Sequence, residues 1–294
     1  MKLIRKTIWN LTKEGDLKII HQLKTIKMKT IKSTMNTLLV AIVSLLVITS
    51  CNNDDDTPTP TVSNMVDVGS YKLYTESLGE GNHTLVFESG LGDNFESWYE
   101  LLSLSETNQV IAYNRAGYEP SEVADNERSI VQLAEDLHQV ILSKSENNQV
   151  ILVGHSLGGA VIRYYAVQHP EMVEALVFVD PSHEDFEVMT QEQEDGIVQF
   201  FNGEGLLQVA NEASQMIENF EMLEVLASLP DVPTIVLTSV KEREGENEER
   251  WINAHASLGD GVTDFTHITT ENSGHYIQVE EPQLVLDALA SLSN

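Results

Sequence analysis

The sequence predicts an α/β chain, with a mostly parallel central sheet and helices on both faces. Two observations carry that prediction. Beyond residue 65, short apolar runs bounded by turn residues alternate with stretches of helical spacing. One strand-to-helix junction also carries Gly154-His155-Ser156-Leu157-Gly158-Gly159, whose glycines permit a tight reversal between the two elements. Composition bounds the rest. With 294 residues, 41% of them apolar and 21% charged, the chain can bury one sizeable core. Its formal charge of −29 makes nucleic acid an unsuitable partner. No repeat of roughly 20 to 50 residues is visible, which argues against a solenoid or propeller.

The charge is unevenly divided. Residues 1–50 hold nine Lys/Arg and two Asp/Glu, so the remaining 244 hold eight basic and 44 acidic residues. The basic part reads as a targeting segment. Lys29 and Lys32 precede the apolar run 38–48, which has the length of a signal-peptide core and falls short of the roughly 20 residues that span a bilayer. The run closes with Val47-Ile48-Thr49-Ser50-Cys51, which resembles the lipobox of bacterial lipoproteins, where the cysteine is acylated and becomes the mature N-terminus. Cys51 is the one cysteine of the chain, so neither an intrachain disulfide nor a four-thiolate metal site can form. Residues 1–27 lengthen the segment beyond what such a signal uses, and Met28 or Met35 is the expected start. Residues 51–64, rich in Asn, Asp, Pro and Thr, read as a disordered tether, and one domain is expected over 65–294.

Within that domain, strands are expected at 71–77, 84–88, 109–114, 149–153, 175–180, 234–239 and 265–270. Leu133, Leu137, Val140 and Ile141 fall at helical spacing, as do Val161, Ile162, Tyr165 and Ala166 ahead of His169-Pro170. The strand 149–153 therefore runs into G-x-S-x-G and then into a helix, the arrangement of a nucleophile elbow. Such a turn lifts the Ser156 hydroxyl above the sheet, at the positive end of the following helix.

With the elbow in view, the segment 65–294 resembles the α/β-hydrolase superfamily, and further landmarks follow in that family's chain order. Ser89-Gly90-Leu91-Gly92 stands where many members have His-Gly-x-Gly. The resemblance implies an oxyanion hole made by the N–H groups of Leu91 and Leu157. Asn114-Arg115-Ala116-Gly117-Tyr118 resembles the family's Asp-Arg-x-Gly-x loop, read as structural. Ser273-Gly274-His275-Tyr276-Ile277 matches the Gly-His loop and makes His275 the implied general base. His155 is expected to point away from the site, and His83, His138, His169, His255 and His267 receive no role. Two carboxylates fit the order Ser, acid, His: Asp180 at the end of the run 175–180, and Glu242 after the next strand. Asp180 is preferred, because Glu242 lies in a stretch so acidic that a carboxylate there carries little information. His183 and Asp185 are expected beside the site.

Residues 183–230 are expected to form a helical lid. They carry eleven Asp/Glu and no Lys or Arg. An acidic cover disfavours anionic substrates and favours neutral or cationic ones. The implied activity is a Ser-His-Asp hydrolase of small or medium uncharged esters, without metal or organic cofactor. Two other classes stay open: an amidase or peptidase whose lid carboxylates hold a substrate amine, and a non-catalytic surface binding protein. Epoxide hydrolases and haloalkane dehalogenases are excluded, because they need an aspartate where this chain has Ser156. The expected location is the bacterial cell envelope, held to the membrane only through lipid on Cys51.

Overall fold

A computed structural model describes residues 64–292, except 147 and 242. The targeting segment, Cys51, most of the expected tether and Glu242 therefore lie outside the described residues.

Eight strands form one sheet: β1 (Met65–Asp67), β2 (Lys72–Leu78), β3 (Thr84–Glu88), β4 (Gln109–Tyr113), β5 (Val150–His155), β6 (Val173–Val179), β7 (Thr234–Ser239) and β8 (Phe265–Thr270). They lie in the order β1-β2-β4-β3-β5-β6-β7-β8, parallel from β4 to β8 and antiparallel at the β1–β2 and β2–β4 pairs. β3, β5 and β7 are buried at every position. That is why they read as continuous apolar runs rather than alternating ones. β1 is too short to show a pattern of its own and owes its conformation to pairing with β2.

Two boundaries differ from the sequence reading for reasons that matter to the site. β5 continues through Gly154 and His155 because their pairing with Phe178 and Val179 of β6 persists. β6 stops at Val179, one residue before the expected end, because Asp180 takes a left-handed φ of 44°.

Helices α1 (Ile130–Lys144) and α2 (Leu157–Gln168) pack against each other and the sheet. The opposite side carries a 3₁₀ segment, Phe95–Glu106, absent from the sequence reading, with helices α7 (Ile277–Glu280) and α8 (Pro282–Ser291) near the C-terminus. There Leu85 and Phe87 of β3, Ile151 and Val153 of β5, and Val177 and Val179 of β6 meet Trp98, Leu101, Val285 and Leu289 in one apolar cluster. The strand residues in that cluster alternate along each strand, as one face of a pleated sheet requires.

Between β6 and β7 the chain inserts α3 (Gln191–Gly203), α4 (Leu207–Ala213) and α5 (Met216–Glu224), the helical stretch expected of a lid. Thr190 starts α3 with a capping box to Gln193. The insertion docks on the rest of the domain through side-chain amides. Asn219 accepts from the Ile130 N–H at 2.8 Å, Asn211 donates to the Asn126 carbonyl at 3.1 Å, and Gln208 donates to the Ala124 carbonyl at 3.1 Å. Phe201 and Leu223 are buried, whereas Leu207 is 63% exposed. Helix α6 (Glu246–Ala256) follows β7 and leads towards β8.

Candidate active site

Ser156 sits between β5 and α2 with φ 53° and ψ −123°, a conformation a non-glycine residue adopts only where the surroundings enforce it. The flanking glycines show what enforces it. A Cβ on Gly158 would come within 2.2 Å of the Glu88 carbonyl oxygen, one on Gly159 within 2.4 Å of Pro181, and one on Gly154 within 2.6 Å of the Gly158 carbonyl oxygen. The elbow is therefore wedged between the ends of β3 and β6, and only hydrogen fits at these three positions.

His275 and Asp180 meet although 95 residues separate them: Nδ1 of His275 lies 2.7 Å from Oδ2 of Asp180. Asp180 is fully buried and its other oxygen is also occupied, accepting from the Ser239 N–H and the Trp251 indole N–H, both at 2.9 Å. Burial alone would raise its pKa. The positive Arg243 guanidinium, 3.8 Å away, and the hydrogen bond with His275 outweigh burial and hold the carboxyl well below the usual range. An ionised carboxylate only accepts, so the proton between them sits on Nδ1 and the neutral imidazole keeps its Nε2 lone pair.

The loops that carry this pair are tied to one another. Ser239 Oγ donates to the Ser273 carbonyl at 2.7 Å, joining the end of β7 to the His275 loop. Arg243 donates to the Ser239 carbonyl at 2.9 Å and stacks over Trp251, its Cζ 4.0 Å from the ring centroid. The residue before Ser156 reaches the same loop. His155 Nε2 lies 2.9 Å from the His275 carbonyl, and the two rings are 4.5 Å apart between centroids. Pro181, directly after the aspartate, accepts from His255 Nε2 at 2.8 Å. Burial lowers the His255 pKa from 6.5 to about 3, so this ring is neutral at physiological pH.

Leu157 opens α2, where the helix leaves its first N–H groups without intrahelical partners. Leu91 lies in the loop after β3, and that loop touches the elbow: a Cβ on Gly90 would be 3.2 Å from Ser156 Cβ. Ser89 accepts from the Trp98 indole at 3.0 Å and donates to the Asn94 carbonyl at 3.2 Å, which binds the loop to the 3₁₀ segment.

His183 and Asp185 do not join the pair. His183 is buried and engaged with the Asp185 N–H at 3.2 Å and Ser257 Oγ at 3.3 Å, so it ties the start of the insertion to the turn after residue 256. Nor is the acidity of the insertion all at its surface. Glu194 is buried and accepts from the Ile217 N–H at 2.9 Å, and Glu212 is buried against Arg115. His155, expected to point away from the site, instead packs on the His275 ring because its Nε2 reaches the His275 carbonyl, and the sequence pattern does not single out Arg243, Trp251 or Glu212. For Glu212 a signal existed, because it falls with Val209 and Ala213 on the buried face of α4, where a solvated carboxylate has no place.

The sequence model for the alpha/beta hydrolase fold matches residues 83–213, which span the Ser89–Gly92 loop, the elbow and most of the insertion. The fold is that of the α/β hydrolases. The uncharacterized protein YqjL of Bacillus subtilis (strain 168) is 25% identical over 212 residues, covering 70% of this chain and 82% of its own. Among solved structures, a thermophilic esterase from Thermogutta terrifontis superposes with a TM-score of 0.60 at 18% identity, over 75% of this chain and 92% of that one. A mutant epoxide hydrolase from Vigna radiata does so with a TM-score of 0.61 at 16% identity, over 78% and 96%. The α/β-hydrolase scaffold thus hosts more than one chemistry, and the family match supports a hydrolase without naming its bond.

Proposed function

We propose that this protein is a serine hydrolase that cleaves carboxylic esters of small or medium uncharged substrates through an acyl-enzyme. The observation that carries the proposal is the Asp180–His275 hydrogen bond of 2.7 Å beside a serine at a strained elbow. A serine hydroxyl is a poor nucleophile until a base takes its proton. His275 holds its proton at Nδ1 for Asp180, so Nε2 is the atom that receives the proton of Ser156 as Oγ attacks the ester carbonyl. Asp180 then stabilises the imidazolium. The Leu91 and Leu157 N–H groups hold the negative charge on the tetrahedral oxygen. His275 returns the proton to the departing alkoxide, and the same cycle with water as nucleophile releases the carboxylic acid. An aspartate nucleophile, which epoxide opening requires, has no counterpart at position 156.

Amide hydrolysis aided by insertion carboxylates is the second reading; Glu194 and Glu212 are engaged inside the protein, which leaves that role to exposed carboxylates such as Glu192 and Asp195. The test is hydrolysis of p-nitrophenyl butyrate and of the matching p-nitroanilide by wild type and Ser156→Ala. The ester reading expects turnover of the ester, little of the anilide, and loss of both in the variant. Preference for the anilide would replace it with the amidase reading.

For location, we propose a lipid anchor on Cys51 in a bacterial envelope, supported by the basic and apolar run that precedes the only cysteine. Metabolic labelling with palmitate should mark the wild-type chain and not Cys51→Ala. Equal labelling of both would contradict the anchor.

A further inference from the structure

Arg115 is buried with all five of its N–H groups engaged. Nε and Nη2 donate to the two oxygens of Glu212, each at 2.9 Å. Nη1 donates to Glu88 Oε1 at 2.8 Å and to the Ser89 carbonyl at 2.6 Å, and Nη2 donates also to the Gly90 carbonyl at 2.7 Å. A guanidinium offers five donors in one planar fork, so this set of acceptors saturates it and fixes its plane. Glu212 belongs to α4 of the insertion, whereas Arg115 and the Ser89–Gly92 loop belong to the sheet side of the domain.

The Gly90 carbonyl and the Leu91 N–H are two ends of one rigid peptide plane. Holding the oxygen at Arg115 sets the direction of that N–H, and a positive charge at the oxygen polarises the N–H as a donor. On the other side of Leu91, the Gly92 N–H donates to Tyr118 Oη at 3.1 Å, and Tyr118 Oη donates to Glu212 Oε2 at 2.8 Å. Both flanks of Leu91 thus lead back to the same buried carboxylate. The Asn114–Tyr118 loop is pressed against the insertion at Gly117 as well, where a Cβ would lie 2.0 Å from Gln208 Cγ.

We propose that Glu212 and Arg115 are positioning residues for the oxyanion donor: the insertion's carboxylate locks Arg115, and Arg115 aims the Leu91 N–H, so the hole is complete only with the insertion docked. This assignment rests on the acyl-enzyme reading above. It makes the insertion part of the catalytic frame, beyond any role in substrate choice.

The test uses the full chain with Glu212→Gln, Arg115→Lys and Tyr118→Phe. The first keeps the shape but removes a charge and an acceptor, and the second keeps the charge but loses the fork. Tyr118→Phe strands no buried charge, so it carries the test if the others fold poorly. In each, kcat for p-nitrophenyl butyrate and affinity for phenylboronic acid, a tetrahedral mimic at serine, should fall together by about tenfold or more with KM near wild type. In a Ser156→Ala background, the backbone amide resonances of Leu91 and Gly92 should shift in the same variants. Unmoved resonances overturn the proposal, as does a loss of kcat no larger than the loss of folded protein. The amide measurement needs no turnover. If wild type ignores both ester and boronate, the acyl-enzyme reading fails, and the Leu91 resonance still decides whether Glu212 sets that N–H.

Discussion

His155 Nε2 lies 2.9 Å from the backbone carbonyl of His275, so the residue before the nucleophile supports the loop of the base. A carbonyl only accepts, which puts the proton on His155 Nε2. The elbow and the histidine loop are thereby held at a fixed separation. The His155 ring also lies tilted against the Tyr276 ring, centroids 4.9 Å apart, so it touches the residue that follows His275 as well. His155→Leu removes the donor while keeping an apolar filling. It should lower kcat/KM for p-nitrophenyl butyrate by roughly 10- to 100-fold, the scale of a misplacement of about an ångström. A variant with wild-type kcat/KM would mean that the His275 loop holds itself.

Asp180→Asn should cost far more. The amide cannot hold the imidazole in the tautomer that leaves Nε2 free, and the comparable change in another serine hydrolase triad costs about 10⁴-fold in kcat. Glu242→Gln should leave kcat within about twofold of wild type, if Asp180 carries the role alone. Steady-state kinetics of the two variants separate them, and a severe loss in the glutamine variant would move the acid to Glu242.

Much of the site is readable along the chain because its signals are local. Ser156 and its glycines are contiguous, His275 follows a glycine in a loop, and Asp180 ends an apolar run. The rest is not local. Trp251, Arg243 and Ser239 reach Asp180 across 59 to 71 residues, and Glu212 reaches Arg115 across 97. No periodicity records such contacts. The same holds for fold boundaries: the extra residues of β5 and the early end of β6 are set by pairing between strands and by the turn at Asp180.

His255 should leave a pH signature in stability. Its pKa falls from 6.5 unfolded to about 3 folded, because burial disfavours the charged ring. Between those values the unfolded chain binds a proton that the folded chain refuses, so this contribution is fully present above pH 6.5 and is lost as pH falls towards 3. Glu88 acts in the opposite sense. Burial pushes its carboxyl up from 4.5 to about 7 against Arg115 and Tyr113, which favours the folded state as pH drops through that window. Comparison with His255→Gln cancels the Glu88 contribution. The advantage of wild type over the variant in urea unfolding should shrink by about 2 kcal/mol between pH ~6.5 and ~5. A constant difference would show that the folded state protonates His255 as readily as the unfolded chain does.

Salt should stabilise the domain. Residues 51–294 carry eight basic against 44 acidic side chains, and Arg115, Arg128 and Arg243 among the eight are buried. The surface is left with close-set like charges, whose repulsion fades as the Debye length falls from about 10 Å at 0.1 M to about 3 Å at 1 M salt. Tm by calorimetry should rise by several degrees between those two concentrations of sodium chloride. A flat or falling Tm would mean that repulsion is a minor part of the stability.

The central claim is that Asp180, His275 and the elbow make Ser156 nucleophilic. Fluorophosphonate labelling followed by peptide mass spectrometry tests it most directly, because the reagent reacts with an activated serine whatever the natural substrate. The account predicts one adduct, on Ser156, absent from Ser156→Ala and much slower to form in His275→Ala and Asp180→Asn. A folded wild-type protein that takes up no label, or that is labelled elsewhere, would contradict it.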